Sequence, residues 1–226
     1  MEITLFSVLA LGFILGIRHA MEPDHMIAVS TIASQSKKLW QASLAGVFWG
    51  IGHTATLFVI GTILILMKDE IPAQWSLTLE FLVGIMLVYL GITAMLSIRK
   101  KQRHPSSHHH HENEQNTYKS NKGTYYKSLF IGFVHGIAGS GAMVLLTMST
   151  VQSVWQGALY IFIFGAGTVV GMLFFTTIIG IPFILSMKRM VTGKALILTT
   201  GAVSTLFGVY YMYNLGVNDG LFRLWL

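Results

Sequence analysis

Gly12-Phe13-Ile14-Leu15-Gly16-Ile17-Arg18-His19-Ala20-Met21-Glu22-Pro23-Asp24-His25 is the stretch that decides how this chain folds. Its first half is apolar and glycine-spaced, as in a helix that approaches another closely inside a bilayer. Its second half sets two imidazoles and the Asp24 carboxylate within seven residues. Pro23 removes a backbone donor and disfavours helical backbone at Glu22, so a break is predicted there. On an unbroken helix His25 would lie about 600° around from His19 and face elsewhere. A break or wide turn instead folds His19, Asp24 and His25 towards one point, where freed backbone carbonyls can line the same cavity. Ionisable groups at membrane depth are costly and by default mark a substrate or ion path.

The membrane reading comes from the rest of the chain. Hydrophobic residues make up 53% of the 226 residues and charged ones 11%, and mean hydropathy is +0.63. A soluble domain carries about 25% charged residues. The formal charge of +6 does not point to nucleic acid, because the basic residues sit in short segments between apolar runs, where orientation signals belong. The chain has no cysteine, which removes disulfides, thiolate metal sites and thiol-relay redox chemistry. Met1–Ile17 lacks a basic n-region and a small-residue cleavage site and reads as a first span, not a removable leader.

Six apolar stretches follow: Ile3–Ile17, Gln41–Met67, Leu77–Ile98, Ser128–Val151, Gly157–Met187 and Lys194–Tyr213. Runs this long without polar alternation are predicted to be transmembrane helices and exclude a barrel. The second and fifth exceed a crossing length, so tilt or a break is expected. Twelve of the fifteen Lys and Arg fall after spans one, three and five. By the positive-inside rule those loops are cytoplasmic and both termini lie outside.

The two halves resemble each other. Gly12-Phe13-Ile14-Leu15-Gly16-Ile17 matches Gly132-Phe133-Val134-His135-Gly136-Ile137, Trp40-Gln41 matches Trp155-Gln156, and Gly84 and Gly91 match Gly201 and Gly208. Three crossings per unit put the second copy upside down, the inverted-repeat design of many secondary transporters. The expected fold is thus all-α and integral to the membrane, with six helices in two inverted three-helix repeats. Residues 1–98 form the first repeat and carry the metal site, 99–127 a cytoplasmic His-rich disordered loop, and 128–226 the second repeat. The chemistry is asymmetric: where the first half has His19 and His53, the second has Gly139 and Thr168.

His53, in Gly50-Ile51-Gly52-His53-Thr54, supplies the next polar group at depth. A lone histidine on an apolar helix is ordinarily a packed, hydrogen-bonded core residue. Beside the first cluster it becomes a fourth candidate ligand, and His19, Asp24, His25 and His53 are expected to surround one ion. Imidazole favours Ni²⁺, Co²⁺, Cu²⁺ and Zn²⁺ over Mg²⁺ and Ca²⁺, and the lack of thiolates suits an ion that must be released. Arg18 cannot bind a cation; it pairs with Glu22 or Asp24, or meets a lipid headgroup. Glu22 is either a ligand or a support for one. His135 lines the exit path or makes a structural hydrogen bond. In the 99–127 loop, His104 and the run His108, His109, His110 and His111 either handle metal on the cytoplasmic side or are a solvated linker.

Arg18-His19-x4-Asp24-His25 with Gly52-His53-Thr54 resembles the two leading signatures of the nickel/cobalt transporter family. The Glu22-Pro23 spelling, the short six-span length and the His135–Ala142 segment are most similar to its compact urease-accessory nickel permease branch. The resemblance implies a non-enzymatic membrane permease carrying Ni²⁺ or Co²⁺ as substrate, with no resident cofactor. It also implies cytoplasmic nickel chaperones as partners in urease maturation, and a pathway role for Thr54 and Ser140. The chain departs from larger, eight-span members, which carry Asp/Thr-rich signatures where this one has Gly139-Ser140-Gly141-Ala142 and Gly165-Ala166-Gly167-Thr168. Two other readings remain open to the residues alone, and a third is excluded. Metal efflux would use the same ligands, an intramembrane metalloenzyme lacks a His-Glu-x-x-His base, and a thiol-redox carrier lacks cysteine.

Overall fold

The computed structural model describes residues 5–36, 38–67, 72–102, 123–139, 153–186 and 190–225. Among them there is no strand. The helices are α1 (Leu5–His19), α2 (Pro23–Ala33), α3 (Leu39–Met67), α4 (Ala73–Gln102), α5 (residues 123–139), α6 (Val154–Ser186), α7 (Met190–Tyr213) and α8 (Leu221–Trp225). A π-helical turn, Asn214–Asn218, joins the last two.

The chain is a multi-pass membrane protein. Four segments, Leu39–Met67, Gln74–Ile98, Val154–Ser186 and Val191–Asn218, are long and apolar enough to cross, and α1 with α2 makes a fifth as a broken span. The fourth expected span, Ser128–Val151, lies within the described residues only as far as residue 139. The two over-long spans are each one continuous helix, of 29 and 33 residues. Tilt therefore has to take up their extra length. Both ends of the expected 99–127 loop are helical, because α4 runs on to Gln102 and α5 begins at residue 123. His104, His108, His109, His110, His111 and Ser140 lie outside the described residues.

The break at Pro23 has a local cause. The Met21 and Glu22 amides bond back to the Arg18 and His19 carbonyls at 2.9 and 3.0 Å and close α1 with a tight turn. Glu22 then takes extended backbone (φ −60°, ψ 145°), as a residue before proline must. Pro23 starts α2 at the one helical position where its missing N–H costs nothing. The two helices meet at 56°, and α2 turns inward to touch α3, α4, α6 and α7.

The longer helices pair as α3 with α6, α4 with α7 and α1 with α6. Hydrophobic burial cannot drive this inside lipid, so small residues and hydroxyls do it. A Cβ on Gly16 would run into the Phe164 carbonyl, and one on Gly167 into the Phe13 carbonyl. Gly52 and Gly132 relate α3 to α5 in the same way, through the carbonyls of Leu129 and Trp49. Ser204 donates to the Leu87 carbonyl at 2.8 Å between α7 and α4. The polarity is accordingly reversed from a soluble protein: Phe6, Leu66, Phe130 and Leu206 are exposed, while His25, Thr31, His53, Thr168 and Ser204 are buried.

Candidate metal centre

Four helices bring one imidazole each to a common chamber. His19 ends α1, His25 lies in the first turn of α2, His53 is the middle residue of α3, and His135 comes from α5. The α1–α2 break performs the convergence: with the backbone turned at Pro23, the His19 and His25 rings stand 4.6 Å apart, centroid to centroid. His25 lies 5.1 Å from His53 and 4.3 Å from His135. His25, His53 and His135 are all at most 3% exposed. Trp49 walls the chamber beside His25 and His135, and Phe164 beside His19.

Three of the rings are oriented by a carboxylate through one nitrogen. His19 Nδ1 lies 2.9 Å from Glu22 Oε1 and His25 Nδ1 3.3 Å from Asp24 Oδ1. His135 Nε2 lies 2.9 Å from Asp24 Oδ2. A carboxylate that takes the N–H of one ring nitrogen leaves a lone pair on the other, which is how proteins set a histidine to bind metal. His25 Nε2, His53 Nδ1 and His135 Nδ1 are buried with no hydrogen-bond partner. Orphaned polar atoms of that kind need an explanation, and a bound ion is one.

The remaining contact fits the same reading. His19 Nε2 and His53 Nε2 face each other at 3.1 Å. Two nitrogens 3.1 Å apart subtend roughly 100° at an ion bonded to both at about 2.05 Å, close to a tetrahedral or square angle. Two groups have donor atoms within 4.8 Å of one another: His19, His25 and His53, and Asp24, His25 and His135. Of the four expected ligands, His19, His25 and His53 fall in one group, while Asp24 stands with His25 and His135.

The supporting residues divide. Glu22, half-exposed, turns to His19 at i,i+3. Among the described residues Arg18 makes no ion pair with Glu22 or Asp24, in contrast to the first of its two expected roles. The i,i+3 geometry gives Glu22 to His19, and Asp24 turns one oxygen to His25 and the other to His135. Arg18 instead lines, with His19, Glu22 and Pro23, a cavity of about 510 Å³ that opens the chamber. Thr54 donates to the Gly165 carbonyl at 3.1 Å and ties α3 to α6. His135 carries the residue-level surprise. Sequence offered it as a pathway or structural residue, on its place in the repeat and between Gly132 and Gly136, the two glycines that seat α5 on α3.

The model of the cytochrome c biogenesis protein transmembrane region matches residues 24–210. The chain is 60% identical over 225 residues to the urease accessory protein UreH of Bacillus sp. (strain TB-90), covering 100% of this chain and 99% of that protein. It is 27% identical over 208 residues to a protein of Methanocaldococcus jannaschii provisionally named nickel/cobalt efflux system MJ1092, covering 88% and 89% of the two chains. It is also 27% identical over 183 residues to the chloroplast protein FOR GROWTH AND FERTILITY 1 of Arabidopsis thaliana, across 75% of this chain and 48% of that one. No solved structure matches it at a significant level.

Proposed function

The chain belongs to the family of the cytochrome c biogenesis protein transmembrane region and to that of the urease accessory protein UreH; from that premise we propose that it is a permease importing Ni²⁺ or Co²⁺. The observation that carries the reading is the chamber itself. Four imidazoles and a carboxylate sit together among apolar helices, three of the rings with an unpartnered buried nitrogen. Burying so many polar groups in lipid is costly, and a metal path is the function that needs them. The likeness to the cytochrome c family is one of membrane architecture, since a chain without cysteine offers neither haem-attachment thiols nor a thiol relay.

In this reading His19, His25 and His53 give nitrogen donors and Asp24 gives the negative charge. The ion arrives through the cavity beside Glu22, sheds water onto the imidazoles and leaves towards the cytoplasm. An inside-negative potential favours inward passage of a divalent cation by about 4.6 kcal/mol per 100 mV, twice the single-charge value, so no nucleotide is required. Both termini lie outside and the His-rich 99–127 loop inside, where His104 and His108–His111 pass the ion to nickel chaperones of urease maturation. Two inverted three-helix repeats, residues 1–98 and 128–226, form the carrier. The pairing of α3 with α6 and of α4 with α7 supports this, because each joins helices at matching places in the two halves.

Proteoliposomes holding the purified protein are expected to accumulate ⁶³Ni²⁺ when an inside-negative potential is imposed, and Co²⁺ to compete. Absence of any potential-driven uptake sinks the permease reading. The name of the archaeal relative favours a second reading, efflux. Cells expressing the chain separate the two: an importer improves growth on limiting nickel and sensitises to excess, and an exporter does the reverse. Outside pH supplies a further check. Protons compete with metal for the imidazole nitrogens, so uptake weakens as the outside is acidified and recovers on return. Uptake unmoved by acid at every pH where the protein stays folded contradicts imidazole ligation.

A further inference from the structure

His25 belongs to two clusters at once. It forms an all-imidazole set with His19 and His53, and a mixed set with Asp24 and His135. The sets occupy different ends of the chamber. His19 lines the cavity next to Arg18 and Glu22, whereas His135 is 3% exposed and comes from the far side, on α5. Ring contacts join His19 to His25 and His53, and His135 to His25 and His53. Among the described residues none joins His19 to His135. Nor, among the described residues, does one group of close donor atoms hold both His19 and His135, so an ion seated against His19 moves before it meets His135.

The donor chemistry differs as well. The set by the cavity is neutral, while the inner set contains the Asp24 carboxylate, which harder divalent ions prefer. In the inner set each ring that donates to Asp24 keeps one buried nitrogen without a partner, Nε2 on His25 and Nδ1 on His135. His135 is thus not simply a hydrogen-bonded core residue, since half of its hydrogen-bonding capacity is unused in a place where no water reaches it.

We propose that these are two alternative metal stations, and that a divalent transition-metal ion passes from His19–His25–His53 to Asp24–His25–His135 with His25 as the common ligand. This rests on the permease reading and adds a second coordination set to it, with His135 as a ligand. The ion exchanges His19 and His53 for Asp24 and His135 while His25 holds it, so it is never stripped bare in a low-dielectric chamber. Sharing His25 and the mutual repulsion of two dications limit the chamber to one ion at a time. The step also takes the ion from ligands of the first half of the chain to a ligand of the second, as alternating access between two halves requires.

The full chain in lipid nanodiscs, titrated with Co²⁺ and followed by ligand-field absorption and equilibrium dialysis, tests this. The wild type takes up about one ion. His53→Ala, which removes only the outer set, leaves a Co²⁺ complex, and adding His135→Gln or Asp24→Asn changes its spectrum and weakens it about tenfold or more. His135→Gln alone keeps Co²⁺ on the outer set with affinity near wild type, while ⁶³Ni²⁺ passage in proteoliposomes falls about tenfold or more. Glutamine can still hydrogen-bond Asp24, so loss of fold does not account for that result, and Asp24→Asn, a near-isostere, checks it independently. The proposal is overturned if His135→Gln alone weakens Co²⁺ as much as His53→Ala does, which means one merged site. It is equally overturned if adding His135→Gln to His53→Ala changes nothing. A monodisperse wild type that binds neither Co²⁺ nor Ni²⁺ takes down the permease reading along with it, a result distinct from both.

Discussion

His25→Ala is expected to reduce ⁶³Ni²⁺ accumulation to the background of cells lacking the protein, a loss of at least about 100-fold, without preventing insertion into the membrane. The reason is positional. His25 is 1% exposed and its ring lies within 5.1 Å, centroid to centroid, of the His19, His53 and His135 rings. Its Nδ1 faces Asp24 and its Nε2 has no partner. Alanine there removes the ligand common to both donor groups and frees Asp24 from one of its two partners. Trp49, which walls that side of the ring, has an N–H donor and no acceptor to offer in its place. Glu22→Gln supplies the contrast. Glu22 is half-exposed and acts only through His19 Nδ1, so its loss is expected to cost about tenfold, within the range for groups that orient a ligand. Equal uptake by His25→Ala and wild type, at equal amounts of protein in the membrane, would refute the site. A Glu22 effect larger than the His25 effect would show that the two roles are reversed.

The difference between those two residues marks how far the sequence could be read. The break at Pro23 was legible because its causes are local: a missing N–H and the clash with Glu22 act within two residues, whatever the rest of the chain does. The convergence of His19, Asp24 and His25 followed from that break. His53 could be added because it lies at the middle of an apolar helix next in sequence. The place of His135 depends on α5 seating against α3 through Gly52, Gly132 and Gly136, a contact between residues some eighty positions apart. No local pattern states which turn of one helix meets which turn of another. Arg18 failed for a related reason. Sequence distance offers it two carboxylates, and only geometry shows that Glu22 has turned to His19 and Asp24 to His25 and His135.

That seam carries the second large effect. Gly52→Leu and Gly132→Leu are each expected to lower ⁶³Ni²⁺ uptake at least about tenfold and to lower the thermal stability of the purified protein, although neither glycine can bind metal. At Gly52 an added Cβ meets the Leu129 carbonyl oxygen and at Gly132 the Trp49 carbonyl oxygen, both backbone atoms that no rotamer change can move aside. The helices must then separate. Thr56 Oγ1 donates across the same seam to the Phe133 carbonyl at 3.0 Å, a distance that allows little separation before the bond is lost. His53 stands one residue from Gly52 and His135 three from Gly132, so parting α3 from α5 disturbs two of the three imidazoles that face His25. Gly123→Leu is the matched control: it lies on α5 with nothing within 4 Å of an added Cβ, and uptake and stability should stay at wild-type values. If Gly52→Leu transports normally while remaining folded, α3 and α5 do not hold the chamber together, and the contribution of His135 to the site fails with them. If stability drops but uptake per folded molecule persists, the seam supports the fold alone, and the imidazoles are positioned by the α1–α2 turn.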